Sequence, residues 1–375
     1  VACWTDAEMA GLEGLLHGHV AADCAPTRAD FMPLLAARDA ALAGPRVVHA
    51  PRRSRWNAFT AQQDHAQAVW RRRAPSEPQL GPFQAQIEGY IAQHGVRAHA
   101  HLDHPRSSQA ACLQLFAPAR WGDAQGALAA VLDGASPEGL RIEGVDAVDF
   151  EAPHVDCDPA DCAVAADMAA LVGEHTGRVV TGLDALVRAR GRRDGRPVRV
   201  LIAVEFKYSE VEFGCCGGFV SRAFDEAGRR ACVDRPAARR VHCHLLVKHR
   251  RGYLQDTSMF VADPLEAPGP CLLLGPVNQP YRSHFTARAL AASLGFEEVV
   301  YAVVADARNP ALNQPARPLP GHRSQGAPLD AYRAALRPEL AGGVIELSAQ
   351  DLVAAYRAAA PTEPWLEALV DRYGW

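Results

Sequence analysis

Apolar positions change their spacing several times along this chain, and the changes mark out its elements. Between Val198 and Glu210 the sequence reads VRVLIAVEFKYSE. The run Val200-Leu201-Ile202-Ala203-Val204 is continuous and rich in β-branched residues, which predicts a buried strand. It delivers Glu205 and Lys207 two positions apart, so the strand's side-chain period turns carboxylate and ammonium to one face. A second apolar stretch, Thr181 to Val187, lies upstream, and the polar turn GRRDGRP with Asp194-Gly195 separates the two. A hairpin folded about that turn pairs residues whose numbers sum to about 389, as those of Asp184 and Glu205 do. Directly opposed residues on antiparallel strands hold their Cβ atoms about 4.5–5.5 Å apart. Two carboxylates that close could share a divalent cation.

Other elements follow from the same patterns. Helices are expected at Asp6–Val20, Ala29–Leu42 and Phe83–His94. Ser107 offers an N-cap and Pro118 a stop, which predicts a helix over 107–117, and another follows at Asp123–Leu132. Alternating Ile142, Val145 and Val148 predict one strand, or a tight pair, over Leu140–Phe150. The stretch Pro276–Leu294 should be helical after Pro280, and EEVVYAVVAD, Glu297–Asp306, should be a buried strand. Proline and glycine in Ala307–Pro328 predict a loop. Short helices at Pro328–Leu336, Ala349–Ala359 and Glu363–Tyr373 finish the chain, with a strand at Gly343–Leu347.

Composition narrows the class. With 375 residues, 49% hydrophobic and 22% charged, the sequence is that of a soluble globular protein. The net charge of −4 leaves any nucleic-acid contact to local basic patches. No apolar run is long enough to span a membrane. No secretory leader pattern is seen, and ten scattered cysteines lack framework spacing, so a cytoplasmic setting is expected. Among 39 basic residues only Lys207 and Lys248 are lysines. Where arginine replaces lysine so thoroughly, a lysine two residues after a strand glutamate points to chemistry that arginine cannot duplicate.

Several motifs carry a plainer reading beside the chemical one. Pro51–Trp56 and Trp70–Arg73 interleave arginine with tryptophan, which suits stacking on a nucleic-acid backbone, although a solvated connector explains them as well. His99, His101 and His104 lack cysteines at zinc spacing and read as loop residues. Cys157 and Cys162 are too far apart for a zinc knuckle, and Cys215-Cys216 reads as a turn. His242-Cys243-His244 continues into Leu245-Leu246-Val247, which reads as a strand with buried and exposed histidines; a zinc hydrolase is the poorer alternative. Asp184 and Glu205–Lys207 could themselves be a surface residue and an exposed ion pair, but both strands are flanked by apolar residues.

Taken in order, the central elements run helix, strand, strand, strand, helix, strand. This αβββαβ order and the D…ExK pattern of Asp184, Glu205 and Lys207 resemble the PD-(D/E)xK nucleases. The strings SSQAACLQLFAP (107–118), TGLDALV (181–187) and VEFKYSE (204–210), with Asn278-Gln-Pro-Tyr-Arg282, resemble a bacterial restriction-endonuclease family associated with Argonaute-related proteins, over roughly residues 80–375. The resemblance implies an α/β restriction-endonuclease-like core, a mixed sheet flanked by helices, over 81–375, after an N-terminal helical and basic extension over 1–80. It also implies Mg²⁺ (or Mn²⁺) on Asp184 and Glu205, with Lys207 orienting the attacking water and neutralising phosphate charge. A further acidic group has no obvious owner: Glu174 and Gln109 are the candidates, with Glu151 behind them. Gln279 and Arg282, near a helix N-terminus, could contact phosphate.

Two functions are therefore in view. One is an endonuclease acting on DNA in defence against foreign DNA, as a homodimer or beside a partner protein of the same defence system. The other is a catalytically silent domain of the same fold that binds nucleic acid or a partner.

Overall fold

The computed structural model describes residues 80–96, 107–152, 182–208, 231–233, 235–247, 250–275, 277–307 and 327–373, with a few single positions between them. The N-terminal helices and basic patch, Glu174, the histidines at 99, 101 and 104, and the proline-rich stretch 308–326 lie outside the described residues.

Five strands form one mixed sheet in the order β1 (Leu140–Ala152), β2 (Leu183–Arg193), β3 (Arg196–Lys207), β4 (Glu298–Ala305) and β5 (Val344–Ser348). The first three are antiparallel neighbours; β4 joins β3, and β5 joins β4, in parallel. The β2–β3 hairpin turns on Asp194 and Gly195, at φ 51° and 81°. Two successive positive φ angles give the turn whose twist matches that of the flanking strands, and Asp-Gly is favoured there. Ala185 pairs with Val204, Val187 with Ile202 and Gly191 with Val198, the register expected from the turn. The continuous apolar run of β3 has a simple cause. Val200, Ile202, Val204 and Phe206 enter one core, while Leu201 and Ala203 enter a second on the opposite face.

Helices cover both faces. On the first lie α1 (Gln84–His94), α2 (Ser108–Trp121) and α3 (Gln125–Ala135), with two helices from the end of the chain, Ala349–Ala359 and Pro364–Tyr373. On the second, α4 (Pro236–His242) leads into the core residue Cys243, while α5 (Asn278–Leu294) and α6 (Pro328–Ala335) pack on it directly. The αβββαβ order is present, with α3 inserted after α2, and α4 and shorter helices inserted between β3 and α5. Ser107 Oγ accepts the Ala110 N–H at 3.2 Å and caps α2.

Three expectations need correction. Helix α2 does not stop at Pro118 but runs on to Trp121. Proline in a last turn costs a single helical bond, and the Gly122 N–H closes the end on the Pro118 carbonyl at 3.0 Å. Helix α5 starts at Asn278, two residues before Pro280, since proline is tolerated in a first turn. The segment His242–Val247 is not a strand: α4 ends at His242 and a short turn of helix spans His244–Val247. Three apolar residues are too few to separate strand from helix by periodicity. Arg239 then anchors α4. It is fully buried and donates to the carbonyls of Ala231, Pro264, Ala267 and Gly269.

In the second core, His284 of α5 stacks on Tyr301 and shares a 3.0 Å hydrogen bond between Nδ1 and the Tyr332 hydroxyl. Burial holds its pKa down, from 6.5 to about 3. The fold thus favours the neutral ring. Its contribution is complete above the unfolded value and is lost as pH falls through the window below it, at about 1.4 kcal/mol per pH unit. Urea midpoints of the wild type should therefore fall more steeply between pH 6.5 and 4 than those of His284→Gln. Parallel slopes would contradict this.

Candidate active site at the end of the central strands

The end of β3 that follows its apolar run carries Glu205 and Lys207, 3% and 6% exposed. Lys207 Nζ lies 2.8 Å from Glu205 Oε1. Such burial of an ion pair is costly unless its remaining polar groups are satisfied, and α5 supplies the partners. Gln279 Nε2 donates to Glu205 Oε1, Ser283 Oγ donates to Glu205 Oε2 at 3.3 Å, and Lys207 Nζ donates to Gln279 Oε1 at 3.4 Å. The ammonium also lies 5.5 Å from the centre of the Phe213 ring. Gln279 and Ser283 stand four apart on one helix, hence on one face of it.

Asp184 is the second residue of β2, and one step beyond the Ala185–Val204 pair the hairpin register sets it against Glu205. Its Oδ2 accepts the Phe206 N–H at 2.7 Å, which fixes the carboxylate across the end of β3. Burial and the Glu205 carboxylate push the Asp184 carboxyl well above the usual range; Lys207 and the Phe206 N–H pull the other way. A second pair lies alongside. Gln109, near the start of α2, donates to Glu151 Oε1 at 2.8 Å. Burial, and secondarily Glu205, raises the Glu151 carboxyl, while the Gln109 bond opposes the shift.

The structure thus brings together Asp184, Glu205, Lys207 and Gln279, and sets Gln109 beside them on Glu151. Gln279 engages the carboxylate and the ammonium directly. Arg282 stands less than one turn further along α5; its charge acts on Tyr301, which also senses Glu205 and Asp184. Ser283 was missed by sequence reasoning, although its spacing from Gln279 could have suggested it.

Carboxylates held by hard donors suit a hard oxygen-seeking cation such as Mg²⁺ or Mn²⁺ better than zinc. Among the described residues, no three histidine, cysteine, aspartate or glutamate side chains already stand close enough together to hold one ion. Among the same residues no helix is long and apolar enough to cross a membrane.

Fold and site together define an α/β protein in which a mixed five-stranded sheet, flanked by helices, carries a buried acid–lysine centre at one end. The chain belongs to the family described as Restriction Endonuclease associating with ARP (Argonaute-related proteins), whose model matches residues 49–374. No curated protein and no solved structure matches it.

Proposed function

We propose that the chain is a divalent-cation-dependent endonuclease with a PD-(D/E)xK core, cutting DNA in defence against foreign DNA. The observation that carries this reading is a buried lysine, 2.8 Å from one strand carboxylate, beside a second carboxylate in register with the first. Asp184 and Glu205 would hold Mg²⁺ or Mn²⁺. Such an ion polarises the phosphate and makes bound water more acidic. Lys207 would set a compact positive charge where the phosphate gathers negative charge. Gln279 and Ser283 would keep Glu205 in one rotamer, so that the carboxylate need not reorganise on binding. Arg282 would meet the nucleic-acid backbone. Cutting both strands with one site per chain calls for two copies, so a homodimer on DNA belongs to this reading. The family's description suggests an Argonaute-related protein as partner.

The test is plasmid cleavage with Mg²⁺ or Mn²⁺. The wild type should nick or linearise DNA only with the cation, and Asp184→Ala should lose about 10²-fold or more of that rate. Undiminished cleavage by Asp184→Ala would remove the site from consideration. DNA binding without cleavage under either cation would identify a binding module instead.

A further inference from the structure

The strand that carries the acid–lysine centre is also gripped from its other side. Phe206 and Tyr208 alternate with Glu205 and Lys207, so the pleat sends them away from α5 and into the first core. There both meet Trp375 edge to face, with ring centres 6.1 Å and 5.8 Å apart. Tyr373 completes the group: it stacks on Trp375 at 4.4 Å and meets Tyr208 edge-on at 5.6 Å. Its hydroxyl accepts from Gln114 of α2 at 2.7 Å. All four rings are buried.

A polar link runs through this packing. The Trp375 indole N–H donates to Asp306 Oδ2 at 3.1 Å, and Gln350 Nε2 donates to Asp306 Oδ1 at 2.9 Å. Asp306 follows β4 and is 1% exposed. Its own N–H donates to the Lys207 carbonyl at 3.1 Å, one residue past the last pair of the parallel ladder, Lys207 with Ala305. The Ala307 N–H in turn donates to Gln350 Oε1 at 2.9 Å. A buried carboxylate is costly unless its oxygens are satisfied, and here both oxygens accept from side chains of the C-terminal helical region. Trp375 and Gln350 thus hold Asp306, and Asp306 holds the main chain of Lys207.

We infer that Trp375 is a positioning residue for the nuclease centre, fixing Lys207 from the opposite face of the sheet through Asp306. This rests on the endonuclease reading above. Trp375 acts on the backbone at the end of β3, by its ring against Phe206 and Tyr208 and by its N–H through Asp306. It gives the aromatic residue that follows Lys207 a role in the chemistry that its place in the core alone does not suggest.

Trp375→Phe keeps an aromatic ring in the cluster and removes the indole N–H. Single-turnover cleavage of a labelled duplex by the full chain should slow about 10- to 10²-fold, the scale for a small misplacement far from the chemistry, with duplex affinity unchanged. Hydrogen exchange of the segment Val204–Tyr208, read by mass spectrometry without DNA or cation, should quicken about tenfold as the strand end opens more often. Leu128→Ala, a change at a buried position of α3 in the same core, lowers stability away from this link and should leave both readouts at the wild-type level. Wild-type cleavage or wild-type exchange in Trp375→Phe, or equal changes in Leu128→Ala, would make Trp375 ordinary core packing and overturn the inference alone. If the wild type cuts no duplex with Mg²⁺ or Mn²⁺, the endonuclease reading falls and takes the positioning role with it, whatever the exchange shows.

Discussion

Lys207→Met should lower cation-dependent DNA cleavage by about 10²–10³-fold, the cost of removing one preorganised positive group. Methionine keeps the length of the stem and removes only the charge, so the change should act mainly on turnover. Lys207→Arg should fail to restore the rate. The ammonium sits in a closed space between Glu205, Gln279 and the Phe213 ring, and a planar guanidinium is larger and donates in a fork. Single-turnover cleavage of a labelled duplex, with circular dichroism to confirm folding, measures both variants. If Lys207→Arg retains half the wild-type rate, the ammonium has no special role and any cation at that position suffices.

Asp149→Ala should destabilise the chain by about 3–5 kcal/mol, the range for breaking a buried ion pair by removing one partner. Asp149 is fully buried on β1 between two guanidinium groups, Arg120 of α2 at 2.9 Å and Arg188 of β2 at 3.2 Å. Arg120 also donates to the Val148 carbonyl. This network joins α2 and β2 to the edge strand β1, two residues before Glu151. Urea denaturation measures the loss, and a change below about 1 kcal/mol would show that the arginines find solvent when their partner is gone.

Parts of this architecture were legible in the sequence for identifiable reasons. The β2–β3 hairpin was readable because Asp194-Gly195 is a strong turn signal and a two-residue turn fixes every pairing beyond it; Asp184 met Glu205 as arithmetic required. Lys207 was readable because lysine is so rare here. Glu151 was named only behind Glu174 and Gln109, because its neighbours depend on the β1–β2 register, which shifts at Ile142/Gly144 and again at Val145/Ala147. Residues 153–182 separate the two strands, so no tight turn sets the count. The helix at His242 was hidden for another reason. What holds α4 is Arg239 gathering carbonyls from four residues, and long-range satisfaction of backbone oxygens leaves no local pattern. Ser283 lay between, since helical spacing could propose it but only the packing of α5 on β3 could give it a partner.

The burial of Lys207 has one more consequence. Amine-selective reagents modify lysine only where the nitrogen is reachable and unprotonated, and this nitrogen is paired with Glu205 and almost wholly covered. Labelling at Lys207 should therefore be slow in the intact fold and proceed through local opening of the strand end. In a chain with only two lysines, peptide mapping after a timed acylation pulse would follow that one amine with little background. The residue proposed to stabilise the phosphate would then also serve as a built-in clock for how often the centre comes apart.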